Sequence, residues 1–141
     1  MLQPHLAELA PVLREFALSL VRDAPQDSLS RTAAATLSLL ERTGPQRITT
    51  LASHESVSQP AMTGLVQRLE AQGLASRRSD PHDGRAALIA ITATGSERLA
   101  ARRQGHEDAI TARLDLLSAY DRALLAAATP ALTHLMESHV A

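Results

Sequence analysis

Cysteine and lysine do not occur in this 141-residue sequence, and its only aromatic side chains of the Phe, Tyr and Trp kind are Phe16 and Tyr120. Without cysteine there is no disulfide, no thiol redox switch and no cysteine-ligated zinc. Peroxide sensing through a thiol is excluded with them. With so few aromatics, the core must be built from Leu, Ala, Val and Ile, within a hydrophobic fraction of 45% that suffices for close packing. No apolar run reaches ~18 residues, so a membrane-spanning helix is not expected. The stretch "MLQPHLAELAPVLREF" carries Glu8 and lacks a basic start before an apolar run, so a signal peptide is not expected either. The expected location is the cytoplasm, without a membrane partner. Excess charge of one sign is also missing. Fourteen basic residues, all arginine, face 15 acidic ones for a net charge of -1. A balance so near zero counts, at first sight, against nucleic acid. The length is that of one ordinary domain.

The charge is not evenly spread. Residues 1–41 sum to -2 and residues 86–141 to -1, whereas residues 42–85 hold six arginines against four acids and sum to +2. Helical periodicity dominates the chain. Leu6, Leu9, Leu13, Phe16 and Leu20 step by three or four along a first helix, in which Pro11 predicts either a start near Ala10 or a kink. Ser30 is a cap for a second helix, with Ala33, Leu37 and Leu40 facing inward and Gly44-Pro45 as its stop. A short third helix is expected from a Thr49 cap to about Glu55. Ser58 and Pro60 suit the start of a fourth, whose buried stripe reads Ala61, Met62, Leu65, Val66 and Leu69 and which ends at Gly73. The period then changes. "LASRRS" and "RAALIAI" are short and extended, and "DPHDG" between them is turn chemistry, so a β-hairpin is predicted. Thr92 caps a long fifth helix to about Leu117. Ser118 and Asp121 form a variant capping box for a sixth helix, which carries Leu124, Leu125, Ala128, Leu132, Leu135 and Met136 and in which Pro130 predicts a kink.

Two short helices joined by a tight turn and followed by a hairpin with arginines make a winged helix-turn-helix. A helix fits the DNA major groove, and a thin β-loop reaches the neighbouring minor groove. On the fourth helix Gln59, Thr63 and Gln67 stand at i, i+4 and i+8, with Pro60, Gly64 and Arg68 beside them and Ser58 at the cap. Gln pairs bidentately with adenine, Thr meets a thymine methyl, and Arg68 reaches guanine or phosphate. Gly64 and Ala61 let the helix approach closely. A solvated face of this kind more often carries charge than amides and hydroxyls. At the wing, Arg85 is expected to enter a narrow minor groove, which attracts arginine. Asp83, two residues earlier on an extended segment, is expected to hold its guanidinium by a bidentate pair. Arg77 and Arg78 on the opposite strand can meet phosphates.

The segment "LASHESVSQPAMTGLVQRLEAQGLASRRSDPHDGRAALIAITATG" resembles the DNA-binding domain of the MarR family of bacterial regulators. The resemblance is carried by Leu51-Ala52, by Val57-Ser58-Gln59-Pro60, by Leu69-Glu70 with Gly73-Leu74, and by Asp83, Arg85, Ile91-Thr92 and Gly95. It covers about a third of the chain closely, and the flanking helices match in order and length. The sequence departs from the pattern at Glu55, where an apolar residue is usual, at Ser56, where glycine often makes the turn, and at Gly84, where a second basic residue is common. The resemblance implies an obligate homodimer whose first, fifth and sixth helices interlock. It implies a pseudo-palindromic double-stranded operator with half-sites about one helical turn apart. It further implies repression released by a small phenolic or amphipathic ligand. By this likeness Arg85 is the minor-groove arginine and Asp83 its support.

The six histidines do not assemble a metal site: His134 and His139 are five apart and point to different faces, and His106 shares the apolar face of the fifth helix with Ile110 and Leu114. No metal or cofactor is expected. For an effector, the bulky inward residues Phe16, Leu37 and His106 are the candidates, against plain core packing. No catalytic motif is present, and Asp80 and Asp83 lie on an exposed turn where nothing lowers the dielectric, so the chain is not expected to be an enzyme. The expected architecture is mainly α with a small β-hairpin wing, in the order four helices, strand, wing, strand, two helices. Residues 1–28 and 96–141 are assigned to dimerisation and 29–95 to the winged helix-turn-helix. The function expected is that of a dimeric, ligand-responsive DNA-binding repressor; the alternative is a winged-helix protein–protein interaction module without DNA.

Overall fold

Serine and threonine hydroxyls start most of the helices in this chain. The computed structural model describes residues 3–138, with side chains from Leu6 onward. In chain order the elements are α1 (Gln3–Arg22), α2 (Arg31–Thr43), β1 (Gln46–Arg47), α3 (Ile48–His54), α4 (Gln59–Ala71), β2 (Ala75–Ser79), β3 (Ala87–Ile91), α5 (Ala93–Asp115) and α6 (Ala119–Glu137). Ser30, Ser58 and Ser118 accept at Oγ from the backbone N–H groups of Ala33, Ala61 and Asp121, at 3.1, 3.3 and 3.0 Å. Each bond satisfies a donor that the first helical turn leaves without a partner. At Ser118 the expected box closes differently: Asp121 accepts from the Ser118 hydroxyl at 2.7 Å.

Of the two outcomes expected at Pro11, a start near Ala10 is not the one taken: the first helix begins at Gln3 and runs through Pro11. Two further expectations are corrected. Thr49 does not cap α3; the cap position is Arg47, which makes no side-chain cap bond. The reason is a third strand that carries no periodic signal. Gln46 and Arg47 pair antiparallel with Ile89 and Leu88, so the chain passes from strand directly into helix. Ala61 is exposed rather than part of the buried stripe of α4, which consists of Met62, Leu65, Val66 and Leu69. α6 runs through Pro130, and His139 lies outside the described residues.

The sheet has the order β1-β3-β2, all antiparallel, with Arg77 opposite Ile89, Arg78 opposite Leu88 and Ser79 opposite Ala87. The chain forms two compact units. One comprises residues 26–105; the other comprises the described parts of 1–25 and 106–141. Every buried apolar side chain among the described residues lies in the first, where Leu37, Leu40, Leu51, Met62, Val66, Leu69 and Ile89 are at most 2% exposed. This core is wholly aliphatic apart from the Met thioether, as the shortage of aromatics requires. At its edge Asp27 accepts from the guanidinium groups of Arg98 and Arg102, the latter at 2.6 Å, and so ties the segment before α2 to α5. Burial pushes the Asp27 carboxyl up, but bonds from Arg102, the Leu29 N–H and Arg98 outweigh it and hold it at about 2.

In the second unit much of the apolar surface of α1 and almost all of α6 is open, while Leu13 and Leu20 of the expected stripe are half-buried. Leu6, Leu9, Val12 and Phe16, and Leu124, Leu125, Leu132, Leu135 and Met136, are all exposed. Ser19 is its buried polar residue; Arg113 donates to the Ser19 Oγ at 3.1 Å while standing 5.6 Å above the Phe16 ring centroid.

Candidate nucleic-acid interface

The turn between α3 and α4 is set by backbone bonds. Val57 N–H donates to Ala52 O at 3.0 Å and Ser56 N–H to Ser53 O at 3.2 Å, the double bond of a Schellman ending. Such an ending needs a left-handed residue, and Ser56 takes it at φ 54°. Glycine is the usual occupant because a Cβ is disfavoured there. α4 ends in the same way with Gly73 at φ 74°, Leu74 N–H donating to Leu69 O and Gly73 N–H to Glu70 O, both at 2.9 Å.

With Met62, Leu65, Val66 and Leu69 turned into the core, α4 presents the opposite face outward. Ser58, Gln59, Pro60, Gln67 and Arg68 are exposed, and Thr63 and Gly64 are half-buried. The Arg68 guanidinium lies back along the helix, 3.6 Å from where a Cβ on Gly64 would stand. The predicted recognition residues are thus together on one helix face, and none of them carries a negative charge. α3 adds Thr49, Thr50, Ser53 and His54 around a shallow cavity of about 480 Å³. Hydroxyls of this kind suit phosphate oxygens.

The wing residues are less uniform. Arg78 and Arg85 are exposed, and among the described residues neither guanidinium has a carboxylate partner; Arg68 has none either. Arg77 is tied to Glu70 of α4 at 3.0 Å. That pair is partly exposed and worth roughly 0–1 kcal/mol, so it yields readily to a phosphate. Asp83 does support Arg85, but not through a bidentate ion pair. Its Oδ1 accepts from the Arg85 backbone N–H at 3.1 Å, because a carboxylate two residues back is placed to close an Asx turn on the main chain. The guanidinium is left free. The base of the wing is locked by Thr92. Its Oγ1 donates to Gly73 O at 2.6 Å and accepts from Gly95 N–H at 3.0 Å, and its N–H donates to Leu74 O at 3.1 Å. Gly95 is required by close approach: a Cβ there would stand 2.2 Å from Leu74 O.

One pair in this region has no local signal in the sequence. Arg47 of β1 donates to Asp80, at the end of β2, through Nε at 3.0 Å and Nη2 at 2.5 Å. The Asp80 carboxyl is held below its usual range by the His82 backbone N–H and by Arg47. The expectation that nothing encloses Asp80 is therefore corrected: it is 5% exposed.

The effector candidates are divided between the two units. Leu37 is sealed in the core of residues 26–105. Phe16 and His106 belong to the other unit. There Phe16, Val12, Ser19, Arg22 and Arg113 line an open cavity of about 520 Å³. His106 is half-buried, and its Nε2 is enclosed without a hydrogen-bond partner among the described residues. Among the described residues, no group of three or more His, Asp or Glu could hold a metal ion, and no helix is long and apolar enough to cross a membrane.

Comparison with known proteins bears on this arrangement. The MarR family profile matches residues 29–87. The chain is 28% identical over 113 residues to an HTH-type transcriptional regulator of Mycobacterium leprae, covering 80% of this chain and 79% of that one. It is similar in structure to a transcriptional regulator from Thermotoga maritima, with a TM-score of 0.77 and 26% identity over 94% of this chain and 96% of the other. A Staphylococcus aureus MepR variant bound to an oligodeoxyribonucleotide shares the fold, with a TM-score of 0.71 and 19% identity over 92% of this chain and 96% of that chain. The likeness to the MarR family is therefore carried by residues 29–87, the segment that forms the helix-turn-helix and the wing.

Proposed function

We propose that this protein is a homodimeric, sequence-specific DNA-binding repressor, released from its operator by a small aromatic or amphipathic ligand. One observation carries the reading: the outward face of α4 displays amides, hydroxyls and one unpaired arginine, and the wing adds the unpaired Arg78 and Arg85. Gln59, Thr63 and Gln67 read base edges in the major groove, Ser58, Pro60 and Gly64 bring the backbone close, and Arg68 reaches guanine or phosphate. Arg85, on a turn shaped by Asp83, enters the minor groove, and Arg77 and Arg78 meet phosphates.

Dimerisation is supported by the open stripes of α1 and α6. Among the described residues, fourteen large apolar side chains are exposed in one copy. Covering half-exposed residues of this size contributes about 1 kcal/mol each. Counted over two copies, that offsets an association cost of roughly 4–15 kcal/mol. Two-fold symmetry then calls for an inverted-repeat site with half-sites about 10 bp apart, one α4 in each. For the effector, the cavity beside Phe16 offers an apolar wall, two guanidinium groups and the Glu15 carboxylate within one unit.

Selection from a random duplex library tests the reading. The expected product is an inverted repeat of that spacing. Arg85→Ala should weaken binding and lower the salt slope by about one, the loss of one ionic contact. Gln59→Ala should relax the base preference at one position per half-site by ~1–3 kcal/mol. A library that yields no consensus, with affinity unchanged in Arg85→Ala, leaves the protein–protein module as the reading of this fold.

A further inference from the structure

Asp80 is the one buried charged residue among the described residues, although it opens a surface turn. Both of its oxygens are used. Oδ2 takes the two bonds from Arg47, and Oδ1 accepts from the His82 N–H at 2.9 Å. Its own N–H donates to Ala86 O at 3.1 Å. Arg47 is at once the β1 residue opposite Leu88 and the cap residue of α3. The pair therefore spans 33 residues of sequence and joins the start of the helix-turn-helix to the root of the wing tip. A carboxylate taken out of water is costly unless it is paired and hydrogen-bonded, and nothing in the core of this unit needs one.

The strand pairing of the wing ends at Ser79 opposite Ala87. Beyond that rung the tip, Asp80–Arg85, is held by two backbone bonds with Ala86, from the Asp80 N–H to Ala86 O and from the Ala86 N–H to Asp83 O, and by the Arg47 guanidinium, which alone reaches it from outside the hairpin. We propose that Arg47 and Asp80 are a brace that fixes the attitude of the wing tip relative to α3 and α4, and thereby places Arg85 for the minor groove. Both are positioning residues, and neither needs to touch DNA. A groove about 6 Å wide leaves little tolerance for a tip that swings. The inference rests on the DNA-binding reading above.

The test is a double-mutant cycle on the selected duplex, read by fluorescence anisotropy over a range of salt. Asp80→Asn should weaken binding about tenfold in the Arg85 background and by less than about twofold in Arg85→Ala, because the brace acts through Arg85. The salt slope of Asp80→Asn should fall by about one, as it does for Arg85→Ala. Equal losses in both backgrounds overturn the brace, since Asp80 would then serve the fold at large. A gain in affinity for Asp80→Asn overturns it too, since Arg47 would then be a phosphate ligand that Asp80 restrains. If Asp80→Asn loses its helical circular dichroism, the same cycle with Arg47→Gln, which changes the half-exposed partner, decides by the same criteria. Wild-type protein that selects no duplex overturns the regulator reading and the brace with it; additivity in a protein that does bind overturns the brace alone.

Discussion

Residues 26–105 close over an aliphatic core, whereas the unit built from the chain's two ends contains no buried apolar side chain among its described residues. The composition of the two is similar in kind, Leu and Ala with scattered arginine. What differs is where the apolar stripes point. In α2 and α4 they enter one aliphatic cluster with α3 and the sheet; in α1 and α6 most of them are open. Apolar content alone therefore does not say whether a helix stabilises its own chain. On the proposed reading, the helices with open stripes take the second copy of the chain, and the core-bearing unit presents the surface to DNA.

The contrast can be broken at four points, and the largest effect belongs to the core. Met62→Ala should cost about 2–5 kcal/mol, the transfer loss plus an unfilled cavity. Its urea midpoint should fall by the same amount at any protein concentration. A concentration-dependent loss would mean that the core unit too depends on association. The Asp27 clasp comes next. A carboxyl held at about 2, against an ordinary 3.8, contributes its full stabilisation above the ordinary value and loses it as pH falls through about 2. The gap in urea midpoint between wild type and Asp27→Asn should thus be constant at neutral pH, narrow below pH ~4 and close near pH ~2. A gap independent of pH would remove the clasp as its cause.

On the coreless unit, Leu135→Asp should raise the dimer dissociation constant at least about tenfold in sedimentation equilibrium. It should leave the helical signal of residues 26–105 in place. Sedimentation identical to wild type would assign the open face of α6 to some other use. The smallest effect is a gain: Ser56→Gly should stabilise by about 0.5–1 kcal/mol, because glycine takes the left-handed conformation without a Cβ clash. A loss of stability in thermal melts would show that the Ser56 side chain contributes more than its backbone strain costs.

Much of the fold was legible because it is written locally. Ser30, Ser58, Thr92 and Ser118 mark helix starts by hydroxyls three residues from the N–H groups they bind, and Gly44 and Gly73 mark ends. The outward face of α4 could be read from the spacing of Gln59, Thr63 and Gln67 once Met62 and Val66 were assigned inward. What escaped is non-local. β1 is two residues long and too short for alternation to register. The Asp27 clasp joins residues more than 70 apart, the Arg47–Asp80 pair residues 33 apart, and the Arg77–Glu70 pair crosses from strand to helix. Charged pairs at such separations leave no period in a sequence. Asp83 was assigned to the right neighbour but to the wrong atoms, because spacing tells which residues meet and not whether side chain or main chain accepts.

Thr92 has a consequence best put in polymer terms. By binding the carbonyl of Gly73 with its hydroxyl, it turns the hairpin into a closed ring of chain whose ends are pinned at the root. The entropy of loop closure grows only as the logarithm of ring length, so lengthening or shortening the DPHDG tip changes it little while the pin holds. Valine, the same size and shape, would leave the Gly73 carbonyl and the Gly95 N–H without this partner, and the base would rest on the backbone bond from residue 92 to Leu74 O and on the strand pairing. The hydroxyl of Thr92 thus holds the base of the wing independently of the bonds that Asp80 and Asp83 make at its tip.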